Sequence, residues 1–373
     1  MKEIFFTGHK AVPIGKIIKQ KNAQRHIFIT FCALSEAKGM DIHMKKKLPF
    51  KYPPLIDSYS GDSGRVAVQL TSEYQIPILI VNHLTLCYYP DSKTCGFNWD
   101  YYNEETLEKF DIKDDLLDTT DIKAYLKNCI NSNYYVHLFL DQYYIKNSGV
   151  YQTKHKIHDN ATIFGYDESN EFFYVADNFQ SGKYLIAEVN YKDVEEARKA
   201  AINTPAIKFK LADTISFNLE IDILILILKG HLEGKFYLLN DYVESPCKGT
   251  ITYGIDIYNI LKNYLKNLIE GKTKSDIRSF HVMANHKSVL LLLVEYLSEN
   301  GQIENANDNY RLFKEIEDES IKCRNLLIKY NINGDTKLID IVISKIDDII
   351  GKEKYALNYL INSINERRSK SDL

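Results

Sequence analysis

Three positions far apart in the chain carry the residue types that acyl transfer through a covalent intermediate requires. They are Ser63 in GDSGRVAVQLTSEY, His158 in HKIHDNATIFGYD and Asp177 in EFFYVADNF. Such chemistry needs a nucleophile at a helix N-terminus, where unpaired N–H groups and the positive end of the dipole favour an anion. It also needs a histidine to take and return a proton, and a carboxylate or amide to fix the imidazole tautomer. Val66, Leu70 and Tyr74 recur every four residues after Ser63, which predicts a helix beginning near that serine. His158 opens one short apolar strand and Asp177 closes the next, so a strand-turn-strand brings the two together. The backbone N–H of Ser63 is expected to serve as an oxyanion donor.

Plainer readings stand beside this one. Serine at a helix start is most often an N-cap, and Asp177 before Asn178 can be a turn residue. His155 competes with His158; the latter is preferred because it lies nearer the apolar strand and its Gly165-Tyr166-Asp167 ending. Cys87 closes an apolar run and Cys95 lies in a polar stretch, so neither begins an amphipathic helix as a nucleophile would. Tyr143, Tyr144 and Tyr151 occupy the loop before His158, where aromatic rings can line a substrate pocket or fill a core. His281, His286 and Lys287 lack the glutamate of a zinc helix, which favours a structural or substrate-lining role over a metal site. The basic run Lys45, Lys46, Lys47 and Lys51 is either a solvated face or a dock for an acidic carrier protein.

The elements that must position these residues follow from the pattern. HIFITF (26–31) reads as a strand, MKKKLPFK as a loop, IPILIVNHL as a buried strand and YYVHLFLD as a strand. NEETLEKF, DIKAYLKNCI and KDVEEARKAA read as helices, and GKYLIAEVNY as a strand. Beyond residue 205 the texture becomes helical, with Gly271, Gly301 and Gly351 each just past an apolar run, as C-terminal glycines are. The expected fold is α+β, a domain over 1–205 carrying the site followed by a mostly α-helical domain over 206–373 that walls the substrate channel.

Composition limits the alternatives. Of 373 residues, 45% are hydrophobic and 26% charged, which is ordinary globular composition. A formal net charge of -3 argues against a nucleic-acid partner. Six scattered cysteines give neither a disulfide framework nor a zinc site, and fit a reducing, cytoplasmic setting. No signal peptide is expected, and the apolar runs fall short of the roughly 20 residues that span a bilayer.

GDSGRVAVQLTSEY is similar to the nucleophile helix of papain-like peptidases, whose pattern is an acidic residue, the catalytic cysteine, Gly and a small residue in an apolar helix. His158, the strand ending in Gly165-Tyr166-Asp167, the turn and the strand ending in Asp177 match the remaining pattern. With the DQYY loop before the histidine and the helical C-terminal half, the order of segments most resembles the butirosin biosynthesis acyltransferase family, near the amide-forming enzymes of nonribosomal assembly lines. The resemblance covers about residues 50–205 by motif. It implies a cysteine-protease-like acyltransferase of antibiotic biosynthesis. Such an enzyme moves an acyl group from a carrier-protein phosphopantetheine thioester to an amine, with no cofactor of its own. Ser63 departs from the pattern by holding the cysteine slot, and three readings are open: a serine nucleophile, a replacement for cysteine, or a lost active site. The glutamine that precedes the nucleophile in papain-like enzymes is missing between Lys38 and Ser63. A peptidase or thioesterase, or a non-catalytic binding module, remains the alternative.

Overall fold

Alternating and β-branched apolar segments between residues 45 and 211 assemble a seven-stranded sheet. The computed structural model describes residues 45–97, 107–112, 121–180, 182–212, 217, 219–237 and 250–371. Strands β4 (Leu107–Ile112), β9 (Ala206–Leu211), β5 (Tyr135–Asp141), β6 (Ile157–Asp167), β7 (Phe172–Gln180) and β8 (Lys183–Asn190) lie in that order, and β1 (Lys45–Lys47) pairs with β6. The β4–β9, β5–β9, β5–β6 and β7–β8 ladders are antiparallel. A smaller sheet joins β2 (Leu86–Tyr89), β3 (Thr94–Phe97) and β10 (Thr252–Tyr253). Helices α1 (Ser60–Gln69), α2 (Ile76–His83), α3 (Ile122–Asn131) and α4 (Tyr191–Ala200) accompany the sheet. The later helices are α5 (Ile221–Glu233), α6 (Ile257–Ile269), α7 (Arg278–Glu299), α8 (Ala306–Asn333) and α9 (Lys337–Ser371). The chain is therefore a mixed α/β protein. No helix among the described residues is long and apolar enough to cross a membrane.

Residues Lys46–Tyr166 and Glu171–Leu373 form one compact unit, and Lys45 with Asp167–Asn170 belongs to a second. Within the larger unit there are two apolar clusters, one of the sheet and one of the helices. Helix α1 lies between them: Val68 belongs to the sheet cluster and Val66 to the helical one. Position 205, where the texture changes, directly precedes β9, which pairs with β4 on one side and β5 on the other.

Several elements differ from their sequence reading. IPILIVNHL forms helix α2 rather than a strand, with Pro77 in its first turn and apolar residues buried around its circumference. A short apolar run fits a buried helix as well as a buried strand, and proline is at home in a helix's first turn. The part of NEETLEKF that is described belongs to β4, because six residues of Leu107–Ile112 find partners on β9. The run MKKKLPFK contributes the short strand β1. LIDIVISKIDDIIG and KYALNYLINSINERR are one helix, α9, that passes through Gly351. Buried Ile346, Ile349, Ala356 and Leu357 on both sides outweigh the roughly 1 kcal/mol that a mid-helix glycine forfeits. Cys95 lies within β3 and is buried. The stretch 26–31, Cys32 and Cys247 lie outside the described residues.

Candidate active site

The site begins with an irregularity in the sheet. Leu138 pairs with Ala161 but Leu140 pairs with His158, so three residues of β6 stand against two steps of β5. The extra residue falls at Asp159-Asn160, and Asn160 takes a left-handed φ of 57°. A bulge of this kind bends the strand and re-aims the neighbouring side chain. Here that side chain is His158. Its Nδ1 lies 2.8 Å from Oδ1 of Asp177, which is fully buried on β7. The same carboxylate accepts the Asn178 N–H at Oδ1 and Gln142 Nε2 at Oδ2, at 2.7 and 3.0 Å. Fixed by these donors, Asp177 selects the imidazole tautomer with its proton on Nδ1, which leaves the Nε2 lone pair to act as a base. Burial lowers the His158 pKa, but the hydrogen bond and charge of Asp177 outweigh it and raise the value above 6.5.

Helix α1 docks its first turn on this bulge. The Ser60 hydroxyl donates to the carbonyl of Asp159 at 2.7 Å. A Cβ on Gly61 would lie 3.0 Å from Asn160 Nδ2, and one on Gly64 would lie 2.0 Å from Thr162 Oγ1. The two glycines thus let the helix approach β6 more closely than any other residue would permit. Ser63 lies nearly one turn further along the same helix. It is fully buried, and both its hydroxyl and its N–H donate to the carbonyl of Tyr59, at 2.7 and 2.9 Å. Its N–H is therefore spent within the helix and is no oxyanion donor, contrary to the sequence expectation. Ser60 occupies the first helical position, and the Ser60 and Gly61 amides belong to the turn whose N–H groups have no intrahelical acceptor.

A cavity of about 240 Å³ opens beside this turn, lined by Tyr59, Gly61, Asp62, Arg65, Asp159 and Asn160 among others. Burial pushes the Asp62 carboxyl up to about 7, against the pull of Arg65 at 3.3 Å. On the other side, Asp57 binds His281 Nε2 at 2.7 Å and Asn285 Nδ2 at 2.9 Å, so α7 fixes the loop that enters α1. The Asn285 side-chain oxygen accepts the Asp57 and Ser58 N–H groups.

The remaining candidates divide clearly. His155 also has a carboxylate, Asp141 at 2.6 Å, but its side chain is 65% exposed against 20% for His158, and Tyr143 stacks on it at 4.2 Å. Tyr144 packs edge-on to Tyr143, and the Tyr151 hydroxyl accepts from Gln152. Tyr143 and Tyr144 therefore form an aromatic cluster with His155. Burial pushes the Cys95 and Cys323 thiols up to about 12, which removes them as nucleophiles near neutral pH. Lys45 pairs with Asp167, Lys46 bonds Asn131 and Asn133, and Lys47 lies over the Tyr174 ring, so three of the four lysines of the basic run have partners. His286 belongs to a buried group with His231 and Glu353 whose ligand atoms lie within 4.8 Å of one another. Lys287 donates into that group, to Glu353 and to His286 Nδ1, and supplies the positive charge there.

Gln142, Asn178 and Ser60 were missed by sequence reasoning. Gln142 sits in the DQYY segment already singled out for its tyrosines, and Ser60 is the earlier of two serines in YSGDSG. Compared with known proteins, the chain matches no family model and no curated sequence.

Proposed function

We propose that the chain is an acyl-transfer enzyme of papain-like organisation, similar to the butirosin biosynthesis acyltransferases, that moves an acyl group from a phosphopantetheine thioester to an amine. The observation that carries this reading is the docking of the α1 first turn on the bulge that follows His158, next to the His158–Asp177 pair. It supports the reading because the Ser60 hydroxyl and the helix N-terminal amides adjoin the residue that follows an oriented histidine, and covalent acyl transfer requires a hydroxyl, a base and such donors.

In this scheme His158 Nε2 takes the serine proton as the oxygen attacks the thioester carbonyl, and the Ser60 and Gly61 amides face the developing oxyanion. The thiol leaves with the proton from His158, and an ester to the enzyme remains. The amine then attacks that ester and His158 accepts its proton. Returned to the departing serine oxygen, the proton restores the enzyme as the amide leaves. The geometry favours Ser60 as the nucleophile over Ser63, since Ser60 holds the first helical position and contacts the residue next to His158.

Intact-mass measurement with an acyl-carrier or acyl-pantetheine thioester tests the scheme. The wild type and Ser63→Ala are expected to gain one acyl group, and Ser60→Ala and His158→Ala to gain none. An adduct that persists in Ser60→Ala and vanishes in Ser63→Ala returns the role to Ser63. No adduct on any version with any thioester removes the acyl-enzyme. Adding a diamine separates transferase from hydrolase, by amide or by free acid alone.

A further inference from the structure

The larger cavity near the site has an electrostatic character that the scheme above does not use. It measures about 790 Å³ and lies between the β2–β3 hairpin, α6 and the start of α7. Four cations, Lys93, Lys272, Lys274 and Arg278, line it against the single carboxylate Asp276. Arg278 is paired with Asp276 and Lys272 with Glu270, each at 2.6 Å. Lys93 and Lys274 line the cavity and make no ion pair among the described residues. The wall is shaped by internal bonds: the Tyr264 hydroxyl donates to the carbonyl of Lys274 at 3.1 Å and also accepts the Asp276 N–H. Apolar Ile260 and Leu261 complete the lining.

A chain of hydrogen bonds through Cys95 links this cavity to the start of α1. The Tyr59 hydroxyl donates to the Cys95 carbonyl at 3.0 Å, and the Cys95 N–H donates to Ser279, a lining residue, at 3.0 Å. Tyr59 also lines the smaller cavity beside Ser60. Tyr59 and Cys95 therefore connect the neighbour of Ser60 to Ser279 in the wall of the cationic cavity.

We propose that this cavity binds the phosphate of a phosphopantetheine arm, whose chain runs along Tyr59 and delivers its thioester to the first turn of α1. A phosphate dianion matches these two lysines, and hydrogen bonds to charged groups are the strong ones. Ile260, Leu261 and Tyr88 offer contact to the pantetheine chain. The identity of the arm rests on the acyl-transfer reading; phosphate recognition by Lys93 and Lys274 does not. The same arm chemistry comes from coenzyme A or from a carrier protein.

The test uses the full chain and the doubly reversed variant Lys93→Glu with Lys274→Glu, neither residue belonging to the reacting group. Calorimetry with 4′-phosphopantetheine and with pantetheine is expected to show the phosphorylated form binding about tenfold or more tightly to the wild type. That advantage disappears in the variant while pantetheine binding stays the same. Equal affinity of the two ligands for the wild type, or an advantage that survives charge reversal, overturns the proposal. Acylation rates from acyl-coenzyme A and from an acyl carrier are expected to fall together in the variant; a loss confined to the carrier marks a protein–protein contact instead and also overturns it. If phosphate-dependent binding holds but no thioester ever acylates the protein, the acyl-transfer reading fails and the phosphate site stands. If acyl-pantetheine acylates wild type and variant as fast as its phosphorylated form, the reverse conclusion follows.

Discussion

At the scale of single residues, the reactivity of His158 is set by one neighbour. Burial alone would lower its pKa, and Asp177 reverses the sign through a hydrogen bond and a full charge. A base with a raised pKa is protonated, and so idle, further up the acid side of the pH range. Asp177→Asn removes the charge and leaves burial in place, so the acid limb of the rate profile is expected to move to lower pH. At the same time the amide permits the wrong tautomer, and the maximal rate is expected to drop on the order of 10²–10⁴-fold. A pH–rate profile of acylation for wild type and variant reads both effects. If the limb stays where it is, His158 is not the titrating base. Gln142 can be separated from Asp177 in the same measurement. It donates to Asp177 Oδ2, away from the oxygen that meets His158, so Gln142→Ala is expected to lower the rate by a smaller factor with only a slight displacement of the limb.

At the scale of elements, the contact between α1 and β6 positions the serine and the histidine relative to each other, and it is made by missing side chains. A Cβ on Gly64 would stand 2.0 Å from Thr162 Oγ1 and 2.8 Å from His137 Nε2, both in the interior of the sheet. Gly64→Ala is expected to destabilise the fold by about 1–3 kcal/mol and to weaken acylation by pushing the helix off the bulge. Thr162→Ala in the same chain relieves the closer clash, so denaturant titration of the double variant is expected to recover part of the loss. Equal stability of Gly64→Ala and wild type would mean that the helix does not sit this close. Much of this arrangement was legible in the sequence, since the apolar β6–turn–β7 pattern with His158 and Asp177 at its ends anticipates their pairing. The helix start was not, because a serine with a glycine beside it occurs twice in YSGDSG and periodicity does not fix a boundary to within one turn. A three-residue shift is nearly one helical turn, yet it moves a residue from free N–H groups into the hydrogen-bonded ladder. The bulge at Asn160 carries no apolar period and was invisible for that reason. For α2 the ambiguity was different in kind: the unbroken apolar run Ile76–Val81, followed by buried Asn82 and His83, shows neither a two-residue nor a 3.6-residue repeat.

At the scale of the whole molecule, the helices after residue 220 reach the site through α7. His281 and Asn285 on that helix hold Asp57 and Ser58, the residues that lead into α1. Two residues after Asn285, Lys287 anchors α7 in the core by pairing with Glu353 of α9, which also accepts from His231 of α5 and Tyr258 of α6. His286 completes the group by bonding the Leu84 carbonyl at 2.8 Å, after α2. Four helices thus converge on one carboxylate with no access to water, and His286 ties the segment after α2 to the same group. A buried pair of this sort contributes little net stability against an apolar pair of the same shape, yet losing one partner leaves a charge that nothing solvates. Glu353→Gln is therefore expected to destabilise the protein by about 3–5 kcal/mol, seen as a lower urea midpoint with an unchanged slope. The combined change Lys287→Met with Glu353→Leu is expected to restore most of the midpoint, because both charges then leave the core together. Glu353→Gln at full wild-type stability would mean that Lys287 is neutral in the folded protein and that the helices are held together by apolar packing alone. A double variant no more stable than Glu353→Gln would instead assign the stabilisation to the remaining bonds of His231 and Tyr258. Because α7 carries both this anchor and the Asp57 latch, Glu353→Gln is also expected to slow acylation under conditions where it remains folded, whereas a core that merely loses stability would leave the folded enzyme's rate unchanged.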